Sequence, residues 1–317
     1  MTNTMYNKDI LNLTEMNKAE MLEVLHLAID MKQNVAKYSE IMHGKTLAMI
    51  FEKSSTRTRI SFETGMYQMG GHAVVMQGST TQMGRGEPIP DTARVMSSMV
   101  DGIMIRTFSD AMVAQLAEYS RVPVVNGLTD DHHPSQILAD FQTILEIKGT
   151  TEGLKIAYVG DGNNMAHSYL IGAAILGMDV SVASPAGYQP KPEFVALAKE
   201  LATTSGAKIE VVEDPTVAVA DADFIFTDVW ASMGDEAEQD ERVKVFGGTY
   251  QVNAELVAHA KADYHFMHCL PAHRGEEVSA EIIDGPHSVI FQEAENRMHA
   301  EKALLAKIML PELQVGS

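Results

Sequence analysis

The chain has little that would cross-link it or bind it to a metal through thiolates. Its 317 residues include a single cysteine, Cys269, which excludes an internal disulfide framework and any multi-cysteine metal site. Positive charge is scarce as well: 24 lysines and arginines stand against 43 acidic residues, a formal net charge of −19. Such a chain repels nucleic acid and anionic membrane surfaces, so neither is an expected partner. No apolar run approaches the roughly 18 residues that cross a bilayer. The opening stretch, MTNTMYNKDILNLTEM, lacks the basic-then-apolar order of a signal peptide. A soluble protein located in the cytoplasm is the expectation.

What is present is ordinary globular composition, 45% hydrophobic and 21% charged, over a length that suits two domains. Short aliphatic runs alternate with helical patterns, the mark of α/β architecture with parallel sheets. Asn17 and Glu20 read as a capping box, followed by Met21, Leu22, Leu25, Ala28, Ile29 and Met31 on one helix face. The pattern then predicts strands at 46–51, 73–76, 102–105 and 122–125, with helices at 55–69, 91–100, 111–119 and 134–148. After Gly149–Gly153, the expected domain boundary, a second series follows. It has strands at 155–159, 179–183, 208–212, 223–227 and 264–267, and helices at 165–176 and 193–203. The fold class is therefore α/β, two parallel-sheet domains with a cleft between them, residues 1–149 and 150–292. A closing helix in residues 293–317 is free by this pattern to return to the first domain.

Five segments carry groups suited to chemistry. Ser55, Thr56, Arg57, Thr58 and Arg59 stand where a strand turns into a helix. Hydroxyls, guanidiniums and open N–H groups at a helix N-terminus suit a phosphate; the plainer alternative is a capped helix with exposed arginines. His133 before Pro134, with Gln136 one turn on, offers a ring and an amide at a second helix N-terminus. The run from Gly160 through Gly162 to Asn164 begins like a dinucleotide fingerprint, but Met165 replaces the third glycine. Asp228 ends a strand ahead of Ser232, Met233 and Gly234, and suits an ammonium group or merely caps a loop. Finally, Cys269 follows His268. Strand alternation would turn the two apart, which argues against a Cys–His hydrolase. A metal site from His265, His268 and His273 lacks a standard ligand spacing.

Taken in order, these segments resemble the carbamoyltransferase family. The resemblance runs from Ser55–Arg59 through Asp91–Arg94, His133–Gln136 and Asp228 to His268–Pro271 and Glu295–Arg297. Gly160–Asn164, Ser232–Gly234 and His268–Pro271 are most similar to the members that use ornithine. The resemblance implies that Ser55, Thr56, Arg57 and Thr58 hold the phosphate of carbamoyl phosphate, and that Arg106 spans phosphate and carbonyl. It implies that His133, Arg297 and Thr58 polarise the carbonyl, and that Gln136 and the Leu270 carbonyl fix the carbamoyl NH2. For L-ornithine it implies Asn164 and the Met233 backbone at the α-carboxylate and Asp228 with Ser232 at the α-ammonium. Cys269 then lies near the reacting amine, which Asp228 and Cys269 together orient in its neutral form. No metal and no organic cofactor is implied. Family members are commonly homotrimers or multiples of trimers in which a neighbouring loop completes the phosphate site. Gln82 holds that position here, although Pro88 and Pro90 replace more usual polar residues. A cis Leu270–Pro271 bond is expected by the same likeness. The rivals are carbamoylation of another amine such as putrescine, a nicotinamide oxidoreductase, and a silent relative that binds without turning over.

Overall fold

The structure is a computed structural model that describes residues 3–231 and 236–313. The chain forms two compact units, one running up to Ile147 and resuming at Glu295, the other spanning Lys148–Ala294.

The first unit opens with α1 (Lys18–Gln33), where the Asn17 side chain accepts from the Glu20 N–H and the Glu20 carboxylate accepts from that of Asn17. Its buried face is Met21, Val24, Leu25, Ala28 and Met31, while Leu22 and Ile29 are only half-buried. Then come β1 (Thr46–Phe51), α2 (Thr56–Gln68), β2 (His72–Gln77), α3 (Ile89–Ser97), β3 (Gly102–Arg106), α4 (Asp110–Tyr119), β4 (Val124–Leu128) and α5 (Pro134–Lys148). The sheet is all parallel in the order β2-β1-β3-β4. Ala48, Ile50, Ile103, Ile105 and Val124 form its apolar centre with Ala93, Val113 and Leu116 from the covering helices. β2 is the half-exposed edge. The β4 edge is covered, because Ile10 bonds to Val124 and Asn126 at 2.8 Å each and leaves fewer open backbone groups there. β4 starts at Val124 rather than Val122, since Pro123 has no N–H to give a ladder. α3 starts at Ile89, with Pro90 in its first turn where a missing N–H costs nothing.

The second unit contains β5 (Lys155–Val159), α6 (Asn164–Leu176), β6 (Asp179–Ala183), α7 (Pro192–Ser205), β7 (Ile209–Val212), α8 (Pro215–Val219) and β8 (Phe224–Thr227). It continues with α9 (Gln239–Phe246), α10 (Ala254–Val257), β9 (His265–His268) and α11 (Ala280–Ile283). Its sheet is also all parallel, β7-β6-β5-β8-β9. The segments α8 to α11 have no counterpart in the periodicity, being too short to display one. The last helix, α12 (Ile290–Met309), clusters with the first unit from Glu295 onward.

Each sheet reverses its strand order once, between β1 and β3 in one unit and between β5 and β8 in the other. Open parallel sheets hold ligands beyond the C-terminal ends of the strands at such reversals. The four segments that follow those strands start at Glu52, Thr107, Gly160 and Asp228.

Candidate functional site

In the first unit the Ser55 hydroxyl caps α2 by accepting from the Thr58 N–H at 3.1 Å. This leaves the first N–H groups of the helix pointing out of its positive end. Arg106, the last residue of β3, donates from Nη1 to Thr58 Oγ1 at 3.4 Å. Arg297 reaches the same oxygen from α12, Nη2 to Oγ1 at 2.8 Å. Thr58 thus accepts from two guanidiniums, and its own O–H remains to donate. Both arginines and Thr58 are buried. Arg59 is not part of this group; it is exposed and pairs with Glu63 at 3.3 Å.

His133 enters the same space from the N-terminal end of α5, fully buried. Burial above all, and then the charges of Arg297, Arg106 and Arg57, hold its pKa well below the usual 6.5. The imidazole is therefore neutral, and the positive charge resides on three arginines that cannot lose it. Gln136, one turn further on, is buried and donates from Nε2 to Asp140 Oδ1 at 2.8 Å. Gln82 lies elsewhere, exposed at the start of a short 3-10 turn between β2 and α3, its carbonyl accepting from Arg85 and Glu87.

In the second unit Asp228 follows β8 and is buried. Its carboxylate accepts from Cys269 Sγ at 3.2 Å, Asn163 Nδ2 at 3.2 Å and the Val229 N–H at 2.8 Å. Asn163 also caps α6 through Oδ1, and Asn164 is the first residue of that helix, half-buried. Burial, and then the neighbouring Asp228, Asp161, Cys269 and Glu277, raise the pKa of Tyr158 well above 10. Ser232, Met233 and Gly234 lie outside the described residues.

The Gly160–Asn164 segment is not shaped around a pyrophosphate. A Cβ on Gly162 would sit 2.1 Å from the Pro190 backbone nitrogen, and the Gly162 N–H donates to the Tyr188 carbonyl at 2.7 Å. The second glycine serves a close backbone crossing.

His268 requires a correction. β9 ends at His268, so Cys269 is outside the pleat and the alternation that would turn them apart does not apply. A ring nitrogen of His268, Cys269 Sγ and a carboxylate oxygen of Asp228 all lie within 4.8 Å of one another. Even so, the ring is committed: Nδ1 accepts from the Leu270 N–H at 2.9 Å and Nε2 meets Glu277 Oε1 at 3.0 Å. That fixes the Nε2–H tautomer and leaves no lone pair for a base. His273 groups with Glu276 and Glu277 rather than with His268 and His265. Leu270–Pro271 is cis, with Leu270 at φ 58°.

Comparison with known proteins follows the same division. Residues 8–146 match the family described as "Aspartate/ornithine carbamoyltransferase, carbamoyl-P binding domain", and residues 152–308 match its "Asp/Orn binding domain". The chain belongs to the aspartate/ornithine carbamoyltransferase family. Among its relatives, the ornithine carbamoyltransferase of Listeria monocytogenes serotype 4b (strain F2365) is 58% identical over 307 residues, 97% of each chain. That of Listeria innocua serovar 6a (strain ATCC BAA-680 / CLIP 11262) is 59% identical over 302 residues, 95% of this chain and 96% of the other. The solved ornithine carbamoyltransferase from Pyrococcus furiosus superposes with a TM-score of 0.93 at 52% identity, covering 96% of this chain and 98% of that one.

Three groups in this family member escaped the sequence reading. Lys53, buried, pairs with Asp130 and lies 4.3 Å from the Phe108 ring centre, joining the segments after β1, β3 and β4. Glu293 is buried and accepts from the His268 N–H at 2.9 Å, which steadies the chain entering Cys269. Glu301 sits behind Arg297, with Nη2 to Oε1 at 3.3 Å. Their partners are from 25 to 77 residues away or face inward on a helix, so no local motif announces them.

Proposed function

We infer that the protein transfers the carbamoyl group of carbamoyl phosphate to the δ-amine of L-ornithine, giving L-citrulline and phosphate. One observation carries the phosphate half: Arg106 and Arg297 both donate to Thr58 Oγ1 in the first turn of α2, whose N-terminus Ser55 caps, and with Arg57 they help hold the pKa of buried His133 low. An acidic protein gathers that much fixed positive charge to hold an anion. Ser55, Thr56, Arg57 and Thr58 are the proposed phosphate ligands, with Arg106 bridging phosphate and carbonyl. Neutral His133 donates an N–H to the carbonyl oxygen, and Arg297 and the Thr58 hydroxyl add to it as negative charge develops in the tetrahedral intermediate. Gln136 and the Leu270 carbonyl are assigned to the carbamoyl NH2.

Asn164 and the Met233 backbone are assigned to the α-carboxylate of ornithine, and Asp228 with Ser232 to its α-ammonium. The δ-amine must lose a proton before it attacks, because a free alkylamine is protonated at neutral pH. The Asp228–Cys269 pair is proposed to orient it and favour the neutral form. A homotrimer in which Gln82 serves a neighbouring chain is part of this reading; sedimentation of the purified protein at the mass of one chain would refute it.

Carbamoylation of ornithine and putrescine in parallel, each with carbamoyl phosphate, tests the whole. Citrulline formed much faster is the expected result. Preference for putrescine would overturn the assignments at the α-carboxylate and α-ammonium while keeping those at the phosphate.

A further inference from the structure

Behind the arginines of the first unit lies a carboxylate with no part in the scheme above. Glu301 is one turn beyond Arg297 on α12 and 1% exposed. Its Oε1 accepts from Arg297 Nη2 at 3.3 Å, the nitrogen that also donates to Thr58 Oγ1 at 2.8 Å. Its Oε2 is buried with no hydrogen-bond partner among the described residues. On α12 the charge facing it is Arg297; the neighbouring Lys302 sends its ammonium to Gln68 Oε1, 3.0 Å away at the far end of α2. From α2 the nearby Ser61 hydroxyl donates to the Thr58 carbonyl at 3.3 Å, and the Thr58 hydroxyl is linked to Glu301 through Arg297. Arg106 and Arg57 act with Arg297 on His133. The result is a buried acid with one cationic neighbour and one unsatisfied oxygen. Burial raises its pKa to about 7, against the opposing pull of the Arg297 charge and hydrogen bond.

We propose that Glu301 is a positioning residue of the anion site, a proton-linked counter-charge that sets how strongly Arg297 holds a phosphate-bearing ligand. The proposal rests on the preceding reading in taking Arg297 to face that ligand. Ionised, Glu301 orients the guanidinium and also neutralises part of its field. Protonated, with the proton drawn from solvent, it leaves the full charge to the ligand. A dianion arriving at Arg297 repels the ionised carboxylate, so ligand binding and proton uptake on Glu301 reinforce each other. His133 stays neutral through the neutral pH range and arginines do not titrate there, so neither produces this effect.

The test is calorimetric binding of sulfate, which remains a dianion throughout, to the full chain between pH 6 and 8.5. Wild type is expected to bind roughly tenfold more weakly at the upper end, the effect of about one unit of ligand-linked pKa change. Glu301→Gln is expected to vary less than about twofold and to keep the tighter value, since its amide cannot ionise. A second measurement needs no variant: binding heats in two buffers of different ionisation enthalpy near pH 7.5 should reveal proton uptake by wild type. Parallel pH profiles in the two proteins, or no proton uptake, would overturn the role of Glu301 even if ornithine is carbamoylated. Absence of sulfate and phosphate binding at every pH would overturn both this proposal and the assignment of Arg297 to the phosphate.

Discussion

At the scale of single residues, burial and neighbouring charge decide which form of a titratable group is present. His133 and Glu301 both feel the charge of Arg297 and give opposite pH signatures. The pKa of His133 is lower folded than unfolded, so its contribution to stability is complete above about 6.5 and is lost as pH falls through the folded value. In a nitrogen-15 histidine spectrum, the imidazoles of His133 and His299 should both remain neutral below pH 6, and His133→Asn should remove one of the two signals; titration of the His133 ring near 6.5 would refute this. Glu301 is raised to about 7, so the stability tied to its neutral form is present below about 4.5 and lost as pH rises through 7. Glu301→Gln should therefore match wild type near pH 4.5 and exceed it at pH 8, by up to about 3 kcal/mol. Urea unfolding at the two pH values measures the difference, and an equal gap at both would sink the argument.

At the scale of elements, the strand ends do the positioning and the segments after them must be held. Lys53 does this for three at once, through Asp130 and the face of Phe108. Lys53→Met keeps the bulk and removes the charge. We expect a KM for carbamoyl phosphate about tenfold higher, the loss of one charge-assisted contact, with the ornithine KM nearly unchanged. Equal rises in both would point to general loosening instead. Gly162→Ala would force a Cβ to within 2.1 Å of the Pro190 nitrogen. Two backbones cannot share that space, so thermal unfolding should show a loss of at least about 3 kcal/mol. Elements with a strong pattern were legible from residue order: β1, β5, β6 and α5 begin and end where their hydrophobic runs and flanking Gly or Pro place them. β2 was read short because an edge strand carries a weak alternation, and α8 to α11 offer too few turns to show a period. Ser55, Arg57 and His133 were legible as chemistry because they crowd at helix starts. The proximity of His268 to Cys269 was not, because it depends on the chain leaving the pleat directly after His268, the last residue of β9.

At the scale of the whole molecule, charge is sorted against the average. A chain of net charge −19 assembles Arg57, Arg106 and Arg297 in one unit, and Asp161, Asp228 and Glu277 around Tyr158 in the other. The first unit is also discontinuous, since α12 supplies both Arg297 and buried side chains at Ala300, Ala303, Leu304, Leu305 and Ile308. A chain ending at residue 294 should neither bind phosphate nor retain the near-ultraviolet dichroism of the first unit; phosphate binding by that fragment would show α12 to be dispensable. The order of synthesis gives this arrangement a further meaning. On a ribosome, the residues up to Ile147 emerge about 8 to 30 seconds before Arg297, at ordinary elongation rates of roughly 5–20 residues per second. Throughout that interval the apolar face awaiting α12 is a natural landing place for chaperones. The anion site needs a helix made after the whole second unit, so a translation product interrupted before Arg297 lacks one of its three arginines.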